Sequence, residues 1–347
     1  MSEKEVLKGL EKISQTVGKL PDMVQGGGGN TSAKLNEEVM AIKASGYQLT
    51  QITTDNGYVK VNYQNLLDYF ENVDTSRDVD FEQECSQKAM DNVVSEEKLK
   101  PSVETGFHSL LKTYVIHTHS VYANILCCIE EGEDLLDHIF ADKKHPPLWV
   151  RYTHPGFDLT LEMKSEIEEY KKEYGVKPEV IFLENHGLII NTDDADAGLA
   201  LNEEINDEIK FHLGITEDYP EVGVEEIDES TYRSKTKYIQ EFFQNSNISE
   251  NYFSNILYPD QIVYLEDSVS LNGQDSRINI NTDTGEVIYQ AKAKEARTID
   301  ETLTSFVYIM DYIEKSDYSL QTMPQKYIDL IKNMQAEKHR KKVMKED

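Results

Sequence analysis

The chain is short of positive charge, of cysteine and of long apolar runs, and each shortage excludes something. Thirty-five Lys and Arg stand against 64 Asp and Glu in 347 residues, a formal net charge of −29. Nucleic acid is therefore not an expected partner, because binding it needs a basic footprint. An anionic ligand would need a local island of donors inside a repelling field. The plainer meaning of the acidity is solubility. The three cysteines, Cys85, Cys127 and Cys128, form no CxxC pair and no even framework. That pattern suits a reducing compartment. The opening MSEKEVLKGL has no apolar stretch of signal-peptide length, and no apolar run approaches 18 residues, so neither a leader nor a membrane span is expected. A soluble, cytoplasmic protein is the expectation. Two phosphate-binding fingerprints are also missing. The glycine-rich loop at 25–34 is followed by no Gly-Lys-Ser/Thr, and Thr31 and Ser32 stand where the last glycine of GxGxxG would fall.

What is present alternates. Val6, Leu7, Leu10, Ile13 and Val17 have helical spacing over 4–18. Strands are expected at Val39–Ala44, Thr53–Asn62, Thr113–His119, Leu148–Tyr152 and 179–190. Helices are expected within 64–100, from Ser102 as N-cap, and over 121–131, 158–174 and 193–213. Alternating strands and helices predict an α/β fold, a mixed sheet layered with helices. Residues 216–250 read as an acidic linker leading into a helix. Residues 251–347 read as a smaller α+β unit with strands at Gln261–Tyr264, Arg277–Ile280 and Glu286–Tyr289, a helix over 293–314 and a charged tail.

The chemistry-bearing residues cluster on few segments. His117 and His119 close the apolar run Tyr114-Val115-Ile116. Residues i and i+2 of a strand share a face, about 7 Å apart, which is close enough for one metal ion. Hydrogen-bonded core histidines would give the same spacing. His186, between Asn185 and Gly187, sits at a corner between two apolar runs. Four glycines, Gly26 to Gly29, free backbone N–H groups to turn toward an anion, or simply make a flexible loop. Glu104 falls in the first turn of a helix, where it could be only a cap. His108 and His154 read as helix-surface or core and as turn residues.

Five pieces in order, Gly-Asn-Thr-Ser (29–32), Ser-Gly (45–46), Ser-x-Glu (102–104), His-Thr-His (117–119) and Asn-His-Gly (185–187), resemble the class II, metal-dependent sugar-phosphate aldolase and adducin head family over about residues 5–215. The PSVET and HTHS wording is most similar to the aldolase half of bifunctional rhamnulose-phosphate aldolase/dehydrogenases. The resemblance implies a catalytic domain over 1–215. It implies Zn2+ or another divalent transition metal on His117, His119 and His186, and Glu104 as general acid/base. It implies phosphate contacts at Gly29, Asn30, Thr31, Ser45, Gly46 and Ser102. The implied activity is reversible aldol cleavage of a rhamnulose- or fuculose-type ketose 1-phosphate by a homotetramer. A pentulose-phosphate 4-epimerase and a non-catalytic adducin-like interaction domain are the alternatives, and retention of all three histidines disfavours the second. Two departures stand out. Val103 replaces a serine of the usual Ser-Ser-Glu. No position among the 20 tyrosines matches the family's proton-handling tyrosine, although Tyr152 lies near the right segment.

Overall fold

A computed structural model describes residues 1–95, 99–265, 268–273 and 275–333. The first apolar stripe folds as α1 (Glu3–Val17), and its start is set by a capping box. Ser2 Oγ accepts from the Glu5 amide, while the Glu5 carboxylate accepts from the Ser2 amide at 2.7 Å. Then follow β1 (Asn30–Lys34), β2 (Val39–Lys43), β3 (Tyr58–Asn62), α2 (Tyr63–Asn72), α3 (Phe81–Asp91), α4 (Thr105–Leu110), β4 (Tyr114–Thr118), α5 (Val121–Cys127), α6 (Gly132–Ile139), β5 (Leu148–Val150), α7 (Phe157–Tyr174), β6 (Val180–Leu183), β7 (Gly187–Thr192) and α8 (Ala195–His212). The expected mixed α/β architecture is present.

The seven strands make one sheet in the order β3-β2-β1-β4-β7-β6-β5. Every neighbouring pair is antiparallel except β5 with β6. β4 lies at the centre and is buried along its whole length, as expected for a strand covered on both faces. Its alternation assigns the layers. Tyr114 and Ile116 join the core under α1, α5 and α8. Val115 joins the opposite core with Phe107 of α4 and Met163 of α7. His117 continues the Val115 face and packs edge-on to Phe107, with ring centroids 5.9 Å apart.

The C-terminal region departs from expectation in two places. Residues 216–250, read as a linker, contain a hairpin, β8 (Val224–Asp228) and β9 (Thr231–Ser234), before α9 (Lys237–Asn245). β9 pairs with β8 on one side and with a strand more than fifty residues downstream on the other. Gln261–Tyr264, read as a strand, is instead the body of α10 (Pro259–Tyr264). A four-residue apolar run does not distinguish the two states, and Pro259 at the first helical position favours the helix. After it come β10 (Val269–Leu271), β11 (Ile278–Ile280), β12 (Val287–Gln290), α11 (Ala293–Lys315) and α12 (Gln325–Asn333). The second sheet runs β10-β11-β12-β9-β8. The charged tail from 336 lies outside the described residues. None of the described helices is long and apolar enough to cross a membrane.

The two sheets share one hydrophobic core. Ile299, Leu303, Phe306 and Met310 of α11 belong to the same buried cluster as Val121 and Ile125 of α5 and Leu10 of α1. Phe306→Ala should cost about 3–5 kcal/mol, the usual range for emptying a buried phenylalanine site. The reporter is Trp149, the single tryptophan, on β5 of the first sheet. Its fluorescence midpoint in urea should fall with Phe306→Ala. An unmoved Trp149 transition would show that the two sheets unfold separately.

Candidate metal centre and active site

Antiparallel pairing brings distant motifs to one end of the first sheet. The start of β1, the end of β2, the end of β4 and the start of β7 all lie there. Asn30 is in direct register with His117. His119 follows β4, and His186 immediately precedes β7. The Asn-His-Gly corner has a local cause. Asn185 takes a left-handed φ of 49°, which asparagine tolerates better than most residues. A Cβ at Gly187 would sit 2.3 Å from the Thr118 carbonyl oxygen. Only glycine lets the corner close against β4, and that approach carries His186 to the other two histidines.

The three rings are buried and lie with centroids 4.9–5.2 Å apart. Their ligand nitrogens all fall within 4.8 Å of one another, the one such group among the described residues. Nδ1 of His117 donates to the Leu188 carbonyl at 3.1 Å, and Nδ1 of His119 donates to Asp260 Oδ2 at 2.5 Å. With those protons spent, Nε2 of each neutral ring carries a lone pair. Nε2 of His117 is 3.3 Å from Nε2 of His186, and Nε2 of His119 is buried with no hydrogen-bond partner. Converging lone pairs in a buried site are costly alone and favourable around a cation. The residues present therefore fit a divalent metal.

Glu104 completes the cluster. It stands at the N-cap position of α4 and makes no capping bond, so the cap reading does not hold. Its Oε1 is 3.4 Å from His117 Nε2 and 3.5 Å from His186 Nε2, and its Oε2 accepts from Asn30 Nδ2 at 3.0 Å. Burial disfavours its charge, and the positive charge that would offset this and hold the carboxyl below the usual carboxylate range must come from the histidine cluster it faces, as a protonated ring or a bound cation. Ser102 is not the cap of α4 either. Its Oγ accepts from the Glu104 amide at 3.3 Å and so shapes the turn that aims the carboxylate.

The expected phosphate contacts divide. Gly29, Ser45, Gly46 and Ser102 line one cavity with Glu104, His119 and His186. Asn30 lies behind Glu104. Thr31 is turned away, because alternation along β1 sends it to the α1 face, where its hydroxyl bonds Ser14 Oγ at 2.7 Å. Ser32 returns to the site face and bonds Nδ1 of the buried His108 at 2.7 Å. Two of the four glycine amides are taken by the C-terminal region, and a third, that of Gly28, by the Gln25 carbonyl. Gly26 N–H donates to Glu301 and Gly27 N–H to the Tyr264 hydroxyl. Lys43, a buried cation on the cavity wall, was not anticipated. It donates to the Gly27 and Tyr47 carbonyls at 2.8 and 3.1 Å. Its signal was a lysine closing an apolar strand just before Ser-Gly. Asp260, Pro259 and Ile331 form the C-terminal wall, and no local signal marked them. Tyr152 is not on this wall. It packs with Ile262, Met323 and Ile331, its ring 5.1 Å from that of Tyr327. His154 is buried, 3.3 Å from Glu82.

The family model described as "Class II Aldolase and Adducin N-terminal domain" matches residues 11–213, and the chain belongs to that family. Among solved structures, the N-terminal class II aldolase domain of a conserved protein from Thermoplasma acidophilum is 22% identical, with 59% of this chain and 92% of that chain covered and a TM-score of 0.49. An L-fuculose 1-phosphate aldolase is 19% identical over 60% of this chain and 84% of its own, with a TM-score of 0.42. A sugar-phosphate aldolase from Thermotoga maritima is 14% identical over 62% and 97%, also with a TM-score of 0.42. A search of the curated proteins found no match.

Two site histidines predict the acid response of the metal-free protein. Burial lowers His108 to about 3 and His186 to about 4, from an ordinary value of 6.5. The unfolded chain therefore binds more protons than the folded one between about pH 6.5 and 4. Stability should rise with pH through that window and fall on acidification. Urea midpoints in chelator should decline steadily from pH 6.5 to 4, with a shallower slope in His108→Gln. A flat wild-type profile would show that these imidazoles are not held neutral.

Proposed function

We propose that this chain is a metal-dependent aldehyde-lyase that reversibly cleaves a ketose 1-phosphate of the rhamnulose or fuculose type into dihydroxyacetone phosphate and an aldehyde. The observation that carries the reading is Glu104, buried and aimed at His117 and His186 beside a cavity with donors suited to an anion. His117, His119 and His186 would hold the ion. When bound, a divalent ion supplies Lewis-acid polarisation of a carbonyl oxygen. The rest is the work of this chain's own groups.

Lys43, Ser45, the Gly46 backbone and Ser102 would receive the phosphate at one end of the cavity. Glu104 at the other end would carry the proton. In the cleavage direction the Glu104 carboxylate would accept the hydroxyl proton, the carbon–carbon bond would break to release an aldehyde, and the carbon that keeps the electron pair would take that proton back from Glu104, restoring the carboxylate. Asn30 and the Ser102 turn hold the carboxylate in place for that transfer. Val103 lines the cavity where a second serine would stand, so Lys43 takes over its share of phosphate charge.

Metal analysis and a cleavage assay test this directly. Purified protein should carry one divalent ion per chain, lost in His186→Ala. Glu104→Gln should keep the ion and lower kcat by about 10²–10⁴, the usual share of a general acid/base. A Glu104→Gln variant with normal turnover would remove that group from the mechanism. Metal-free wild type that stays metal-free after zinc is supplied would turn the reading toward a non-catalytic interaction domain.

The phosphate assignment has its own check. Lys43→Ala and Ser45→Ala should raise KM for phosphorylated ketoses by at least about tenfold, one lost charge-assisted contact or more. Unphosphorylated analogues should respond much less. Equal effects on both would place the phosphate elsewhere.

A further inference from the structure

His117 and His119 are held by different parts of the molecule. The Nδ1–H of His117 is bonded within its own sheet, to the Leu188 carbonyl of β7. His119 lies one residue beyond the end of β4, where the sheet no longer supplies a carbonyl. Its Nδ1–H donates instead to Asp260, 141 residues away on α10, at 2.5 Å. Both side chains are almost wholly buried, 5% exposed for His119 and 1% for Asp260.

The contact is built in from three sides. Gly28 is packed against it so closely that a Cβ there would sit 2.3 Å from Asp260 Oδ2 and 2.9 Å from His119 Nδ1. α10 is fixed behind it. The Tyr258 hydroxyl bonds Ser305 of α11 at 2.8 Å, and Arg277 donates to the Tyr264 carbonyl at 2.6 Å. The Asn185 side chain at the His186 corner donates to the Leu257 carbonyl at 2.9 Å and to the Gln321 carbonyl at 3.1 Å. The C-terminal region thus grips the loops on either side of the histidine cluster.

We propose that Asp260 is a positioning residue. It fixes His119 in the tautomer and ring orientation that present Nε2 toward His117 and His186. The C-terminal region is then part of the metal site and sets its affinity. This rests on the reading that the three histidines hold a divalent ion. An aspartate that only tethered the C-terminal region would leave metal affinity alone.

The test is zinc affinity of the full chain, measured by competition with a chromophoric chelator, together with the visible absorption spectrum of the Co2+-loaded protein. Asp260→Ala should bind zinc about 10–100-fold more weakly, the usual effect of removing a ligand's outer partner. Its Co2+ bands should shift. Asp260→Asn, whose amide oxygen still accepts from Nδ1–H, should lose less. Tyr258→Phe loosens the same helix without touching His119, and it should keep wild-type affinity and spectrum. Asp260→Ala with wild-type affinity and an unchanged Co2+ spectrum would overturn the proposal, as would Tyr258→Phe weakening zinc as much as Asp260→Ala does. Wild type that binds neither Zn2+ nor Co2+ would overturn the metal reading itself, and that failure is visible before any variant is made.

Discussion

The arrangement on which the rest of the site depends is the burial of imidazole lone pairs beside a carboxylate. A buried polar atom left without a partner costs about 1–3 kcal/mol, and Nε2 of His119 is such an atom, facing the other two rings. Hydrogen bonding at the Nδ1 atoms, one bond to a strand and one to a helix, forces it. Leu188 takes the Nδ1 proton of His117, and Asp260 takes that of His119, so neither ring can turn its other nitrogen into a donor without losing a bond. A centre of this kind is stable only if the surrounding fold is rigid enough to resist rearrangement, or if a cation occupies it. The central position of β4 and the close corner at Gly187 supply the rigidity.

That rigidity comes from both halves of the chain. The first sheet brings the motifs to one end but leaves that end open. Helices α10 and α12 close it, with Asp260 and Ile331 on the cavity wall. The glycine-rich loop shows the consequence most clearly. Its freedom to turn amides outward is real, as the left-handed φ of Gly26 and Gly29 shows. Yet the Gly26 and Gly27 amides are spent on Glu301 and Tyr264. The loop is therefore an anchor for the C-terminal region, and in the proposed function the anion-facing role would pass to Lys43, Ser45 and Ser102.

How much was legible in the sequence follows from the range of each interaction. The period of α1 and the strand ending at His119 are local patterns, and both were readable. So was the shared face of His117 and His119, because it follows from alternation alone. Thr31 was misplaced for the same reason in reverse. The Gly-Asn-Thr-Ser piece names residues without saying which face of β1 each takes, and alternation places Asn30 and Ser32 opposite Thr31. The hairpin at Val224–Ser234 pairs locally, but its first strand, Val-Glu-Glu-Ile-Asp, is acidic and mostly exposed, so it lacks the apolar alternation that marks a strand. Asp260 was missed because nothing near it in sequence hints at an imidazole 141 residues upstream. Long-range partners of this kind can be found only in three dimensions.

The acidity of the chain has a local counterpart in this geometry. A net charge of −29 repels a sugar phosphate from most of the surface, and the screening length of about 8 Å at physiological salt limits that repulsion to near approach. Inside the cavity the balance reverses. Glu104 and Asp260 bring two negative charges, while Lys43 and a divalent ion would bring three positive ones. The remaining charge is small but buried, where it is screened far less than at the surface. Bonds from the buried Lys43 to backbone carbonyls, at 2.8 and 3.1 Å, fix its ammonium group on the cavity wall. An acidic protein can in this way be selective for an anion: the surface discourages binding anywhere else, and on the proposed reading the buried Lys43 beside the histidine cluster would define where the anion is met.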